Sequence, residues 1–323
     1  MTIPSRNNPR NSICVVRGGA LGDFLLTLPA IGLLRKGFPD ARIELVGYRH
    51  ICAVANGRHY ADAVRSIEYA AMAAFFCPGA PLDPELSDYF SGFGQVVSYL
   101  YDPDGFFRGN LLRCGVRNLI EGSPRIPRDL HAAHHLAKPL ESLALFLDNP
   151  SARIFPSEAD RADAAQLLAS LPGPRIALHP GSGSEAKNWP LSSWVELATG
   201  LLLENPEHSL VIVGGECEGD RLAALRQALS HSQRCLFLEV PPLPTLGAIF
   251  ADCNLFVGHD SGVSHLAAAA GCDCLLMFGP TDPFVWAPAS PGVRVLRSSD
   301  GTMASIPLPT VREQIAHILH GRN

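Results

Sequence analysis

ICVVRGGALGD, residues 13–23, and IALHPGSGSEAKNWP, residues 176–190, are two statements of one structural idea. Each opens with an apolar strand, passes through a glycine-rich turn and enters a helix. Strands that are almost wholly apolar, with Gly and Pro punctuating their ends, suit parallel sheets covered on both faces. The same alternation continues outward from both stretches. In the first half, strands are expected over 13–17, 42–48, 95–99 and 117–120, with helices over 23–36, 106–114 and 131–146. In the second half, strands are expected over 175–179, 209–213, 235–239, 255–258, 274–278 and 293–296. Helices fall between them over 191–203, 220–229, 243–251 and 263–270, and an amphipathic helix over 311–319 closes the chain. The expected fold class is therefore α/β, two doubly wound Rossmann-like domains whose ligand sites lie beyond the carboxyl ends of their strands. Two such domains facing one another would share one cleft.

The boundary between the halves is read at LDNPSARIFP, residues 147–156, which has two prolines and little periodicity. This gives domains 1–150 and 151–323. The last helix could pack back on the first domain. A chain of 323 residues is comfortable for two α/β cores. Its hydrophobic share of 47% and charged share of 18% are those of a chain that folds rather than stays disordered. The formal charge of -5 argues against a general nucleic-acid binder, which needs a basic surface. The first residues are polar, with Arg6 and Arg10, and no uncharged apolar run reaches the ~18 residues of a membrane span. A cytoplasmic location is expected, with at most peripheral membrane contact. Nine scattered cysteines, among them Cys14, Cys217, Cys272 and Cys274, form neither a disulfide framework nor a zinc pattern.

Four turns carry candidate chemistry. In the first, Arg17-Gly18-Gly19-Ala20-Leu21-Gly22-Asp23, the glycines let backbone approach a ligand. Asp23 is either an acid complementing the helix dipole or a catalytic carboxylate, and the residues leave the two readings level. The glycine spacing is not that of the dinucleotide fingerprint, and the second strand ends in Gly47-Tyr48-Arg49 rather than an acid. In the second turn, small and hydroxylated residues from Gly181 to Ser184 precede Lys187, a composition suited to a phosphate or diphosphate. A plain surface turn is the alternative. In the third, Gly258-His259-Asp260-Ser261-Gly262-Val263-Ser264-His265, free N–H groups at a helix start would make another anion site. Simple capping by Asp260 or Ser261, with His265 in a core, is the alternative. In the fourth, Gly214-Gly215-Glu216-Cys217-Glu218, a carboxylate can accept from a ribose diol or merely begin a helix. His131, His134 and His135 share a helical face, but nothing nearby completes a metal site, and no metal is assigned.

Taken in order, GALGDFLLTLPAIGLLRKGFPDARIELVG, HPGSGSEAKNWP, GHDSGVSHLAAAAGC and FGPTDPFVWAP resemble glycosyltransferase family 9, the ADP-heptose:lipopolysaccharide heptosyltransferases. The resemblance implies a GT-B fold, with an acceptor-side first domain and a nucleotide-sugar donor-binding second domain. It implies an inverting transfer of a sugar, a heptose, from an ADP-linked donor to a glycan or glycolipid acceptor, without metal or cofactor. Carried over by position, Asp23 is the catalytic base, with Gly22 beside it. Ser182, Gly183 and Ser184 contact phosphate, Lys187 holds the donor phosphate, and Glu218 binds ribose. Asp260, Ser261, Gly262, Val263 and His265 complete the donor site, the backbone of Gly262 and Val263 lying near the diphosphate. The chain departs from the family between 50 and 130, where acceptor contacts are expected: residues 75–93 are apolar and acidic. Arg108, Arg113 and Arg117 remain available to an anionic acceptor or are simply solvated. A sugar-nucleotide epimerase and a non-catalytic nucleotide-sugar binding module are the competing functions.

Overall fold

A computed structural model describes residues 11–215 and 218–321. Arg6, Arg10, Glu216 and Cys217, singled out above, lie outside the described residues. The chain divides into two compact units, Met1–Pro150 and Ser151–Asn323.

The first unit holds five parallel strands: β1 Ser12–Val16, β2 Arg42–Gly47, β3 Ala63–Ser66, β4 Gln95–Ser98 and β5 Leu119–Glu121. Their order is β3-β2-β1-β4-β5. Every residue of β1 is buried, as the central strand of a covered sheet must be. The helices are α1 Leu21–Gly37, α2 Arg49–Cys52, α3 Pro84–Ser91, α4 Phe106–Arg113 and α5 Ala132–Ala137. One core cluster joins Cys14, Val16, Val46 and Val96 of the sheet to Phe75, Phe90, Phe107 and Leu111. β3 escapes the sequence pattern because it is short, at the sheet edge and only half-buried, with Arg65 inside it. α3 is a short helix defined mainly by its start: the Asp83 carboxylate accepts from the Leu86 N–H at 2.9 Å and Pro84 follows it. The helix expected over 131–146 instead ends as α-helix at Ala137 and continues as a 3-10 turn, Lys138–Leu143. Pro139 accounts for this, since it cannot donate to the preceding turn.

The second unit holds β6 Arg175–Leu178, β7 Ser209–Gly214, β8 Cys235–Glu239, β9 Leu255–His259, β10 Cys274–Phe278 and β11 Val293–Arg297. These six strands are parallel, in the order β11-β10-β9-β6-β7-β8. The helices are α6 Glu158–Leu168, α7 Leu191–Glu204, α8 Gly219–Ala228, α9 Leu243–Ala251, α10 Gly262–Ala269, α11 Pro283–Trp286 and α12 Leu308–His320. α6 gives no apolar periodicity because it buries only Ala164 and Leu168. A capping box between Ser157 and Asp160 starts it. The apolar stripe of α12, Val311, Ile315 and Ile318, lies in the second unit's own core with α7 residues such as Leu197 and Leu201.

Both sheets reverse direction beside their first strand. The chain runs outward from β1 through β2 to β3, then returns to place β4 on the other side of β1; β6 stands in the same relation to β7 and β9. At such a switch point the turns leaving the two neighbouring strands diverge, and a crevice opens beyond the carboxyl ends. The four turns singled out in the sequence follow β1, β6, β9 and β7. No helix among the described residues is long and apolar enough to cross a membrane.

Candidate active site

In the first unit the turn after β1 is organised by Arg17. Its side chain is buried, yet it meets four acceptors. Nε donates to Thr27 Oγ1 at 3.0 Å, Nη1 to the Tyr99 carbonyl at 3.4 Å and Nη2 to the Asp23 carbonyl at 3.3 Å. Nη2 also lies 3.4 Å from Asp23 Oδ1. Thr27 Oγ1 in turn donates to the Asp23 carbonyl at 2.7 Å. One guanidinium thus ties the first turns of α1 to the end of β4, the two sides of the switch point. Burial lowers the Arg17 pKa from its ordinary value, and Asp23 and Tyr99 pull it back up. The other oxygen of Asp23, Oδ2, accepts from the Ala20 N–H at 3.0 Å. Asp23 is therefore a helix-start acceptor, and its side chain keeps 36% of its surface exposed. Gly19 has φ +91°, and a Cβ there would stand 2.8 Å from Asp23 Oδ2, so both the backbone sign and the carboxylate's position require glycine. Gly22 sits in the first turn of α1 beside it.

In the second unit the turns after β6 and β9 converge. Lys187, on a 3-10 turn Glu185–Lys187, places Nζ 2.7 Å from Asp260 Oδ2. Ser182 Oγ lies 2.8 Å from both the Ser184 carbonyl and Asn188 Oδ1, which folds the glycine-rich segment onto itself. Two buried histidines pin the turns from beneath. His259 Nε2 accepts from the Trp189 N–H at 3.0 Å, and His259 Nδ1 faces the Gly181 carbonyl at 3.2 Å. This pair of partners fixes a neutral imidazole with its proton on Nδ1. Burial pushes His259 down to about 4, against a smaller upward pull from the Gly181 bond. His179 is pushed down to about 3, by burial and then by His259. His179 Nδ1 lies 3.4 Å from Ser261 Oγ, so the β6 and β9 turns are joined a second time.

Ser261 N-caps α10, its hydroxyl accepting from the Ser264 N–H at 3.3 Å. As at any helix start, the first N–H groups, here those of Gly262 and Val263, have no partner within the helix. The Lys187 ammonium reaches the side chain of Asp260, the residue immediately before this cap. His265 is buried one turn further on. Glu218, also buried, begins α8 after β7. Its Oε2 accepts from the Gly215 N–H at 2.7 Å, and a Cβ on Gly181 would come within 2.1 Å of its Cγ. Gly181 is thus a close approach rather than a turn requirement: only without a side chain can the β6 turn lie against Glu218.

The second unit accordingly gathers Ser182, Lys187, Glu218, Asp260 and Ser261 around one strand-end crevice, with Gly183, Ser184, Gly262 and Val263 in the same turns. Asp23 and Gly22 belong to the first unit's own switch point. Three supports carry no role in the sequence reading: the Arg17 anchor, the His179–His259 pair, and Arg221, which reaches Glu185 and donates to the Trp189 carbonyl at 3.3 Å. The histidines had a visible signal, an imidazole closing an otherwise apolar strand in both turns; Arg221 had none. The histidines of α5 serve locally: His131 accepts from the Ala133 N–H as N-cap, and His135 meets the Ser123 carbonyl at 3.0 Å.

With this geometry in hand, comparison with known proteins is informative. The sequence model of "Glycosyltransferase family 9 (heptosyltransferase)" matches residues 120–314, more than half of the chain. Lipopolysaccharide heptosyltransferase 1 of Escherichia coli (strain K12) is 23% identical over 292 residues, covering 84% of this chain and 88% of the relative. Among solved structures, a glycosyl transferase family 9 protein from Veillonella parvula superposes with TM-score 0.76 at 18% identity, over 96% of this chain and 97% of that one. E. coli heptosyltransferase WaaC, solved with ADP, superposes with TM-score 0.70 at 18% identity, over 95% and 99%. The two-sheet α/β architecture is the one these proteins share, the GT-B class expected from the sequence.

Proposed function

The chain belongs to glycosyltransferase family 9, and from that premise we propose that it transfers a heptose from an ADP-linked donor to a lipopolysaccharide-type glycan acceptor, with inversion and without a metal. The observation that carries the reading is the meeting of Lys187 with Asp260 and the start of α10. An ammonium and a helix N-terminus are brought together at a parallel-sheet switch point, where a diphosphate is best received. ADP accompanies the similar WaaC structure, and lipopolysaccharide is the substrate named for the E. coli relative.

In this mechanism an acceptor hydroxyl attacks the anomeric carbon from the face opposite the diphosphate. The new C–O bond forms as the bond to the β-phosphate oxygen breaks, through an oxocarbenium-like transition state. Asp23 takes the hydroxyl proton. Half-exposed and anchored by Arg17, its carboxylate can do so without losing its place in the fold. The negative charge left on the diphosphate passes to Lys187 and the N–H groups of Gly262 and Val263, which supply the stabilisation a divalent cation gives elsewhere. Ser182, Gly183 and Ser184 hold the phosphates. Glu218 accepts from the ribose diol, and His265, buried in the first turns of α10, completes the donor site. The first unit takes the acceptor and the second the donor. Work is at the cytoplasmic face, with membrane contact at most peripheral and no role for nucleic acid.

The test is ADP binding to Lys187→Ala. Removing a charged hydrogen bond costs about 1.5–3 kcal/mol, a loss of roughly 10- to 100-fold in affinity. Wild-type binding of ADP with no change in the variant would take Lys187 out of the site and with it the observation on which the donor reading stands.

A further inference from the structure

Building on the donor reading above, we propose that the segment leading from β10 into the start of α11, residues 279–284, selects the transferred sugar, through the Asp282 carboxylate and the Phe284 ring. The strand order sets the direction. Along the carboxyl edge of the second sheet, β7, β6, β9 and β10 stand in that sequence. Glu218 follows β7, the Ser182–Lys187 turn follows β6, and Asp260 and Ser261 follow β9. Neighbouring strands are about 4.8 Å apart. A donor with its ribose at Glu218 and its diphosphate across the next two turns is therefore heading toward the end of β10 when its sugar begins. β9 and β10 are paired in register up to His259 and Met277, so the β10 turn leaves the sheet directly beside Asp260.

The turn carries the chemistry that recognises a sugar. Phe284 exposes 61% of its surface, although an isolated aromatic ring gains nothing from water. Asp282 is locked relative to it: its Oδ1 accepts from the Phe284 N–H at 3.2 Å and lies 3.5 Å from Arg297 Nη1 at the end of β11. A carboxylate held this way accepts from adjacent sugar hydroxyls, while the ring covers the C–H face of the pyranose. Beneath them, the Thr281 and Ser298 hydroxyls are buried with no hydrogen-bond partner among the described residues. Ser298 is joined to β10 through its N–H, 2.8 Å from the Phe278 carbonyl.

Calorimetric titration of ADP and of ADP-heptose against wild type, Phe284→Ala and Asp282→Asn tests the assignment. Asparagine keeps the cap on α11, and Phe284 is exposed, so both variants retain the fold; a thermal melt of each verifies this. The expected result is unchanged ADP affinity in both. ADP-heptose affinity falls about two- to tenfold in Phe284→Ala and about tenfold or more in Asp282→Asn. Discrimination between ADP-heptose and ADP-glucose narrows in parallel. An unchanged ratio of ADP-heptose to ADP affinity, or an equal loss of both ligands, overturns the assignment while leaving the donor reading in place. A wild-type protein that binds neither ligand overturns the donor reading and this assignment with it.

Discussion

Asp23→Asn separates the two things Asp23 can be. In the structure its carboxylate accepts from the Ala20 N–H at 3.0 Å and stands 3.4 Å from Arg17 Nη2. Asparagine keeps the first contact, because its side-chain oxygen occupies the same place and is as good an acceptor at a helix start. It removes the second. Cutting one partner from a fully buried ion pair costs about 3–5 kcal/mol, but that figure does not transfer here. Asp23 is more than a third exposed, so solvent screens the pair, and Arg17 retains Thr27 Oγ1 and the carbonyls of Tyr99 and Asp23. The stability loss should be about 1 kcal/mol, or roughly 2–4 °C in melting temperature for a unit of this size. Loss of a general base costs about 10²–10⁴-fold in rate, on the order of 3–5 kcal/mol of barrier. The two effects thus fall in different observables. Single-turnover transfer at saturating donor reads the chemical step, a thermal melt reads the fold, and ADP titration verifies the donor site. Asp23→Ala adds the lost cap, about 1 kcal/mol more in stability, and should be no slower in chemistry than Asp23→Asn. A rate within about threefold of wild type in Asp23→Asn, far short of the general-base range, would leave Asp23 as a cap and the reaction without its base.

Transfer should continue at its full rate in excess EDTA, because Lys187 and the start of α10 carry the leaving-group charge; abolition by EDTA with rescue by magnesium or manganese would sink that account. Stability should fall as pH drops below about 6.5. The folded-state pKa values of His179 and His259 are depressed, so between 6.5 and about 3–4 the unfolded chain binds more protons and stability rises with pH. At pH 5 each histidine accounts for about 2 kcal/mol relative to pH 8, and a flat melting temperature between pH 8 and pH 5 would refute the neutral-imidazole assignment. ADP affinity should hold from pH 8 to pH 5 and weaken only as pH approaches about 4, where protonating folded-state His259 at Nε2 breaks its bond from the Trp189 N–H and loosens the turn that carries Lys187.

The parts of this protein that declare themselves in the sequence are those where one local rule decides the outcome. Among the described residues eleven strands form two parallel sheets, and ten of them are expected from the sequence, most as short apolar runs. The eleventh, β3, is not, because an edge strand half in water needs no apolar run. α6 and α3 were equally silent, their starts fixed by caps at Ser157 and Asp83 rather than by a buried stripe. The candidate site divides along the same line. A glycine-rich turn after a buried strand is a local event, so the stretches holding Asp23, Lys187 and Asp260 stand out at once. What those residues touch is not local. Lys187 meets Asp260 across 73 positions, and His259 reaches Gly181 across 78. Arg17 spans 82 positions to Tyr99. Each of these contacts exists because β6 lies beside β9, or β1 beside β4, and that adjacency is a property of the strand order. No spacing rule within one turn contains it. The same reasoning explains why 279–284 could be matched to the family yet given no task. Its composition, Gly-Pro-Thr-Asp-Pro-Phe, reads as an ordinary turn and helix start. Only the position of β10 beside β9 puts an exposed ring and a fixed carboxylate next in line after the proposed diphosphate site, and the use proposed for the turn rests on that adjacency.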